Sequence, residues 1–321
     1  TAALASRVMV VVSHAERIVF PEIGRTKGDV VAYYERMAPR LLPHLLGRPL
    51  SIRRYPKGLS GASFFQKNVP KHYPPDIERF EVPRSAAATK KHASSQQAVT
   101  IYPIVSEQEH LAFLANQGAI ELHVPTLRAE HDWHPDRFVI DLDPPPQAIE
   151  KARRAAQWTR EALGELGLES AVIATGSKGY HVVAALQPAA DVETLALAAH
   201  QLATLLVARH PDELTTTFRV AERGGRVFVD WLRLGLGSVI APYSLRATPR
   251  ASVATPLAWE EIVTAAPDAF TIVDVERLLA RPDTLAQLAE NPAHPGSFVA
   301  NVAAAFERSG LELQPFDRFR S

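Results

Sequence analysis

Arg137-Phe138-Val139-Ile140-Asp141-Leu142-Asp143-Pro144 is the stretch on which the reading of this chain turns. Phe138 to Ile140 form a short apolar run that leads into two carboxylates one residue apart, then into three prolines, Pro144 to Pro146, that cannot continue a strand ladder. The pattern predicts a buried strand with an acidic tip. Side chains alternate along a strand, so Asp141 and Asp143 share one face while Leu142 turns into the core. Like charges held that close call for neutralisation, and a hard Mg²⁺ or Mn²⁺ ion, which takes one or two carboxylates plus water or substrate phosphate, is the usual answer. The same pattern also fits a solvated strand end followed by a proline turn, and the rest of the chain has to decide between the two.

The chain has 321 residues, 46% of them hydrophobic, enough to bury an ample core in one large α/β domain or two smaller ones. It contains no cysteine, which excludes a disulfide scaffold and any thiolate metal site and leaves oxygen and imidazole ligands. No apolar run approaches the roughly 18 residues of a membrane helix, and residues 1–7 do not read as a signal peptide. A cytoplasmic location is expected. The net charge is zero, but residues 1–100 carry 16 Lys and Arg against 7 Asp and Glu, leaving 19 against 28 for the remaining 221. A basic front and an acidic back suit a protein whose first part meets phosphates and whose second part holds metals.

Outward from the acidic strand, each neighbouring segment adds a part. Residues 7–12 read as an opening strand. Thr26 and Asp29 have capping-box spacing ahead of a helical pattern that Pro39 and Pro43 interrupt, which predicts two helical pieces with a kink or break near Pro39. Lys27, expected in the loop at that helix start, offers a phosphate seat together with the terminal N–H groups. Arg48 to Gly58 is strand-like and studded with cations, and Phe64-Phe65 followed by Lys67 suits a surface that stacks on bases and neutralises a phosphate backbone, though such a pair also serves as ordinary core. Residues 84–98 read as an exposed loop. The strand over 119–125 places Glu121 and His123 on one face, where the imidazole is also at home as a buried, satisfied side chain.

Beyond the acidic strand, Ala148 to Leu166 is amphipathic and stops at Gly167; strand 171–174 follows, then the turn Thr175-Gly176-Ser177-Lys178-Gly179 and a strand from Tyr180 to Leu186. That turn can cradle a phosphate, although it lacks the spacing of a Walker A loop. Asp191 caps a helix reaching His210. Residues 216–232 are expected as a hairpin whose second arm ends in Asp230, repeating the logic of Asp141. Ser238 to Tyr243 reads as a strand, residues 257–310 as short helices, and Gln314 to Ser321 as a frayed end.

Seven blocks in order resemble one family: Phe20 to Asp29, Phe64 to Lys67, Ile120 to His123, Asp141 to Pro144, Gly176 to His181, Val227 to Trp231 and Ala241 to Arg246. They look like the polymerase domain of bacterial non-homologous end-joining ligase D, a branch of the archaeo-eukaryotic primase superfamily, over roughly residues 15–290. The resemblance implies a mixed α/β (α+β) primase-like fold with central antiparallel-rich sheets flanked by helices. It implies a single domain over 1–321, with a basic part (about 1–125), an acidic catalytic part (about 126–290) and a C-terminal tail (291–321). It also implies that Asp141, Asp143 and Asp230 bind two divalent ions, Mn²⁺ or Mg²⁺, and catalyse nucleotidyl transfer. His123, Thr175, Ser177, Lys178, His181, Arg223, Arg246, Arg53 and Phe64 match positions around the incoming NTP or dNTP, while Lys27, Arg17, Phe65 and Lys67 match positions toward the DNA, Lys27 reading a 5′-phosphate. Gapped or broken DNA is the implied substrate, with a Ku-like end-binding protein and a DNA ligase as partners, a monomeric state, and a nucleoid-associated location. A primer-synthesising primase and a non-catalytic end-bridging module are the alternatives. No ligase lysine motif or nuclease histidine cluster is present, which fits an excised domain or a stand-alone relative. The chain departs from the family pattern after the third acid, where Leu232-Arg233-Leu234 replaces the usual Gln-Asn continuation, and near the start, where His14 and Arg17 replace an Asn and a Lys.

Overall fold

The computed structural model describes residues 11–83 and 99–313. Residues 7–10 of the expected opening strand, the loop 84–98 and the end 314–321 lie outside the described residues; Val11 and Val12 belong to no strand. The described chain runs through strands β1 (Ile18–Phe20) and β2 (Arg25–Thr26), helix α1 (Lys27–Leu45), β3 (Ser51–Arg54), β4 (Phe64–Gln66), β5 (Glu78–Pro83), β6 (Val99–Ile104), α2 (Gln108–Asn116) and β7 (Ala119–Val124). It continues through β8 (Arg137–Asp143), α3 (Ile149–Glu165), β9 (Ala171–Ala174), β10 (Tyr180–Ala185), α4 (Val192–Arg209), β11 (Leu214–Thr215), β12 (Val227–Asp230), β13 (Val239–Ile240) and β14 (Thr255–Leu257). Helices α5 (Val275–Ala280), α6 (Thr284–Ala289) and α7 (Pro295–Ser309) complete it.

Helix α1 begins as its spacing predicts: Thr26 Oγ1 accepts from the Asp29 amide at 3.2 Å, and Asp29 accepts in return from the Thr26 amide at 2.7 Å. The expected break near Pro39 does not occur, and α1 is continuous across Pro39 and Pro43. Both prolines lie four apart on the exposed side, so the carbonyls they leave unpaired face water, while Tyr33, Tyr34, Met37, Leu41 and Leu45 bury the opposite face. Tyr33 and Tyr34 then tie the helix down, donating to the carbonyls of Tyr243 at 2.8 Å and Ile120 at 2.5 Å. Burial along the whole length outweighs two missing hydrogen bonds.

The main sheet has six strands in the order β11-β12-β8-β10-β9-β14, with β8 and β10 central and every pairing antiparallel except β11 with β12. The expected hairpin over 216–232 is therefore corrected. Residues Val220–Glu222 form a 3₁₀ turn, and β12 pairs with β8 and, in parallel, with the two residues of β11. Val227, Phe228 and Val229 are all buried, and a strand apolar on both faces gains more as an interior strand than as a hairpin arm. A second sheet, β13-β7-β3-β4, carries the basic front half, and β5 pairs with β6 alone. Only Val239–Ile240 of the expected 238–243 strand enters the ladder.

Helix α3 packs on β8, β10 and β12, and α7 packs on α4. The segment set apart as 291–321 thus contains a 15-residue helix whose Phe298 is buried with its ring centroid 5.0 Å from that of Phe138, on the strand that carries the acids.

Candidate active site

Strand β8 ends as its sequence requires, with Phe138, Ile140 and Leu142 buried and Asp141 and Asp143 partly open on the other face. The ladder brings in their neighbours. Asp230 on β12 lies opposite Asp141, and His181 on β10 lies opposite Asp141 from the other side. The turn from Thr175 to Gly179 sits over this strand end. Gly179 is required there by close approach: a Cβ on it would fall 2.0 Å from the Leu142 carbonyl oxygen. The Thr175 amide and hydroxyl both donate to the Gly179 carbonyl, at 3.1 and 2.9 Å, and the Gly176 amide donates to Pro267 at 2.8 Å. Those groups shape the turn from inside, while Ser177 and Lys178 face the cavity beside it. A cavity of about 220 Å³ opens between the two sheets, lined by Asp141, Asp143, Ser177, Lys178, His181 and Arg246 and, from the second sheet, by His123 and Ile240.

Burial dominates the electrostatics. It pushes Asp141 up to about 6, with Arg233 opposing the rise and Asp143 adding to it, and it raises Asp230 in the same way. His181 is brought down to about 3, by burial first and then by Arg233 and Arg246, so its ring is neutral. The donor set fits a hard divalent ion. Oxygens of Asp141 and Asp230 converge on one point, both reaching the same guanidinium nitrogen of Arg233 at 2.9 and 2.7 Å, and the Nε2 of His181 lies 3.5 Å from Asp141. Lys178 faces Asp143 at 3.6 Å.

Two residues here escaped the sequence reading as site residues. One is Arg233, whose signal was its position three residues past Asp230, where the chain departs from the family pattern. The other is Glu121, almost fully buried, which gathers three of the expected nucleotide residues: His123 at 3.1 Å, Arg246 at 3.3 Å and Arg53 at 3.7 Å, plus the Ala247 amide at 3.1 Å. Burial alone would raise Glu121, yet the His123 hydrogen bond, Arg246 and the Ala247 amide bring it down to about 2. Burial also lowers His123, whose ring meets Phe65 edge-on at 5.3 Å.

The remaining expected residues fall into separate groups. Phe64, Phe65 and Lys67 are exposed on and beside β4, with Arg54 over Phe64 and Arg53 over Phe65. Arg223 does not line the cavity; it lies 4.0 Å over the Phe228 ring and donates to the Thr217 and Phe218 carbonyls. Lys27 is not in a loop but is the first residue of α1, and it is nearly buried. Nor are the helix-terminal N–H groups open to an anion: the amides of Lys27 and Gly28 donate to the carbonyls of Arg17 and Ala15, both at 2.8 Å. Side chains make this second cavity instead, of about 210 Å³, lined by Ser13, Arg17, Lys27, Arg54 and Asn116 among others. Lys27 Nζ donates to Ser13, and burial followed by the charge of Arg17 lowers its pKa. Away from both cavities, Asp76, Glu107 and His110 gather at the start of α2, where His110 pairs with Asp76 at 3.2 Å.

An antiparallel-rich sheet that raises three carboxylates beside a basic turn, faced by a second sheet carrying cations and aromatics, defines a primase-polymerase class of fold. Residues 26–285 match the family described as LigD, primase-polymerase domain. The multifunctional non-homologous end joining DNA repair protein LigD of Mycobacterium tuberculosis H37Rv is 34% identical over 269 residues, covering 80% of this chain and 34% of that protein. The bifunctional non-homologous end joining protein LigD of Bacillus subtilis 168 is 30% identical over 263 residues, covering 80% of this chain and 40% of that protein. A solved polymerase domain from Mycobacterium tuberculosis Ligase D in complex with DNA superposes with a TM-score of 0.78 at 29% identity, over 88% of this chain and 99% of that one. The chain belongs to the LigD primase-polymerase domain family. It spans about a third of the length of the mycobacterial relative, 34%. No helix among the described residues is long and apolar enough to cross a membrane.

Proposed function

We propose that this domain is a template-directed nucleotidyltransferase that adds ribo- or deoxyribonucleotides at gaps and broken ends of DNA during end joining. The observation that carries the reading is that Asp141 and Asp143 line one cavity beside the Ser177-Lys178 turn, with Asp230 opposite Asp141 on the neighbouring strand and bridged to it by Arg233. Mn²⁺ or Mg²⁺ ions held by the three carboxylates would supply the positive charge that an in-line displacement at a triphosphate needs on its attacking and leaving oxygens. The protein's own groups bind and orient. Ser177, Lys178 and Arg246 face the cavity as phosphate ligands, and neutral His181 and His123 donate or accept without adding charge. Glu121 holds Arg246, Arg53 and His123 as one set.

Phe64, Phe65 and Lys67 present stacking rings and a cation toward the template. The Lys27 cavity takes the 5′-phosphate of a downstream strand, because three cations around one hollow, Arg17, Lys27 and Arg54, are relieved by an anion. A Ku-like end-binding protein and a DNA ligase are the partners of this reading, with ribonucleotides preferred, and the domain acts as a monomer at the nucleoid. Primer extension on 5′-phosphorylated gapped DNA with Mn²⁺ tests it. D141N and D230N are expected to abolish extension with the fold kept, whereas wild-type rates in either would remove the metal assignment. K27A is expected to weaken binding to phosphorylated gaps only, and an equal loss on unphosphorylated DNA would refute the phosphate role.

A further inference from the structure

Arg233 does more than line the cavity. Its Nη2 bridges Asp141 and Asp230 at 2.9 and 2.7 Å, while its Nε has no hydrogen-bond partner, so the guanidinium is held by the acids. Its side chain keeps 27% exposure, which gives it a way out into the cavity that it shares with Lys178 and Arg246. The three negative charges of Asp141, Asp143 and Asp230 are thereby already faced by two positive ones, Arg233 and Lys178.

We propose that Arg233 is a built-in counter-cation that competes with the divalent ion for Asp141 and Asp230 and so sets the metal affinity of this domain. The inference rests on the reading of those acids as metal ligands and adds a determinant of how tightly they bind. The physical reason is exclusion: the bridging nitrogen lies within hydrogen-bond distance of the oxygens a metal would take, and a unit positive charge opposes a divalent one at the same place. Releasing the guanidinium frees both carboxylates at once, since the same nitrogen holds both. A lysine at 233 would keep the charge on a shorter side chain with a more strongly hydrated ammonium and would compete less well.

Mn²⁺ binding to the intact chain, followed by the loss of the free-ion EPR signal, tests this without any turnover. R233Q is expected to bind Mn²⁺ about tenfold or more tightly than wild type, the order expected when a unit charge a few ångström from a divalent ion is removed. R233K is expected to fall between them and serves if R233Q does not fold without metal. In the absence of metal R233Q should melt below wild type, and added Mn²⁺ should raise its Tm further than it raises that of wild type. D141N separates the two levels of the reading. If D141N weakens Mn²⁺ binding while R233Q and R233K bind no tighter than wild type, the competitor role is overturned and the metal site stands. If D141N binds like wild type, the metal site itself falls and the competitor role with it.

Discussion

Replacing Gly179 by alanine adds one methyl group at the point where the Thr175–Gly179 turn meets the acidic strand. Gly179 has no special backbone conformation, so the effect is steric alone. The new Cβ would lie 2.0 Å from the Leu142 carbonyl oxygen and 3.1 Å from Pro144 Cδ. Real Cβ contacts do not fall below 3.0 Å, so β8 and the turn must part by about 1 Å at their tightest point. Leu142 is the residue between Asp141 and Asp143 and pairs with Tyr180, so the movement is imposed on the two carboxylates and on His181. Overpacking of this kind costs about 1–3 kcal/mol in stability. A displacement of about 1 Å in a reacting constellation can lower a rate by about 10²-fold. G179A is therefore expected to melt modestly lower and to extend a primer about 10²-fold more slowly, with Mn²⁺ binding weakened. Gly164, inside α3 with nothing within 4 Å of its missing Cβ, is the control. G164A should keep the rate and gain about 0.5–1 kcal/mol. Thermal melts and single-turnover extension of both variants decide the matter. Wild-type extension and metal binding in G179A would refute the reasoning, because the strand end would then tolerate a shift that the proposed chemistry does not.

Three further outcomes are expected. E121Q keeps the shape of Glu121 but removes the charge that gathers Arg246, Arg53 and His123, so the nucleotide KM should rise about tenfold or more with kcat less affected, as for loss of one charged hydrogen-bond acceptor; nucleotide titrations at fixed primer would show it. His44 is buried, pairs with Asp283 at 2.8 Å and accepts from Arg137 at 3.3 Å, and burial holds its pKa below the ordinary 6.5. The unfolded chain then takes up a proton that the folded chain refuses, so stability falls as pH drops below that value, and H44Q should show a shallower fall in Tm between about pH 7 and 5. F298A removes the ring that packs on Phe138 and should cost about 3–5 kcal/mol in denaturant melts. A loss under about 1 kcal/mol would mean that α7 is not part of the core.

Much of the site was legible because strand chemistry is local. The run Phe138–Ile140, the alternation of Asp141, Leu142 and Asp143, and the prolines after them specify a buried strand with an acidic end whatever surrounds it. The capping box at Thr26 and Asp29 and the N-cap at Asp191 were equally local, since each needs only its own turn. The continuity of α1 through two prolines was not legible, because it depends on which helix face the rest of the molecule buries.

Asp230 was recognisable as an acid at a strand end, but that it faces Asp141 across one ladder step follows from β12 choosing β8 instead of a hairpin partner. That choice is made by burial of Val227 to Val229 on both faces. Lys27 looked like a loop residue beside open amides, and the fold makes it a nearly buried helical lysine whose neighbouring amides are already bonded.

By itself, then, the sequence determined the acidic strand, the glycine turn between two later strands, and the excess of cations in the front half, because side-chain alternation, chain stiffness and charge are properties of neighbours along the chain. Which charges meet was decided only by the tertiary structure. Arg233 on Asp141, and Glu121 under the guanidinium groups of Arg53 and Arg246, join residues through the register of separate strands and the packing of two sheets, which no short-range rule encodes.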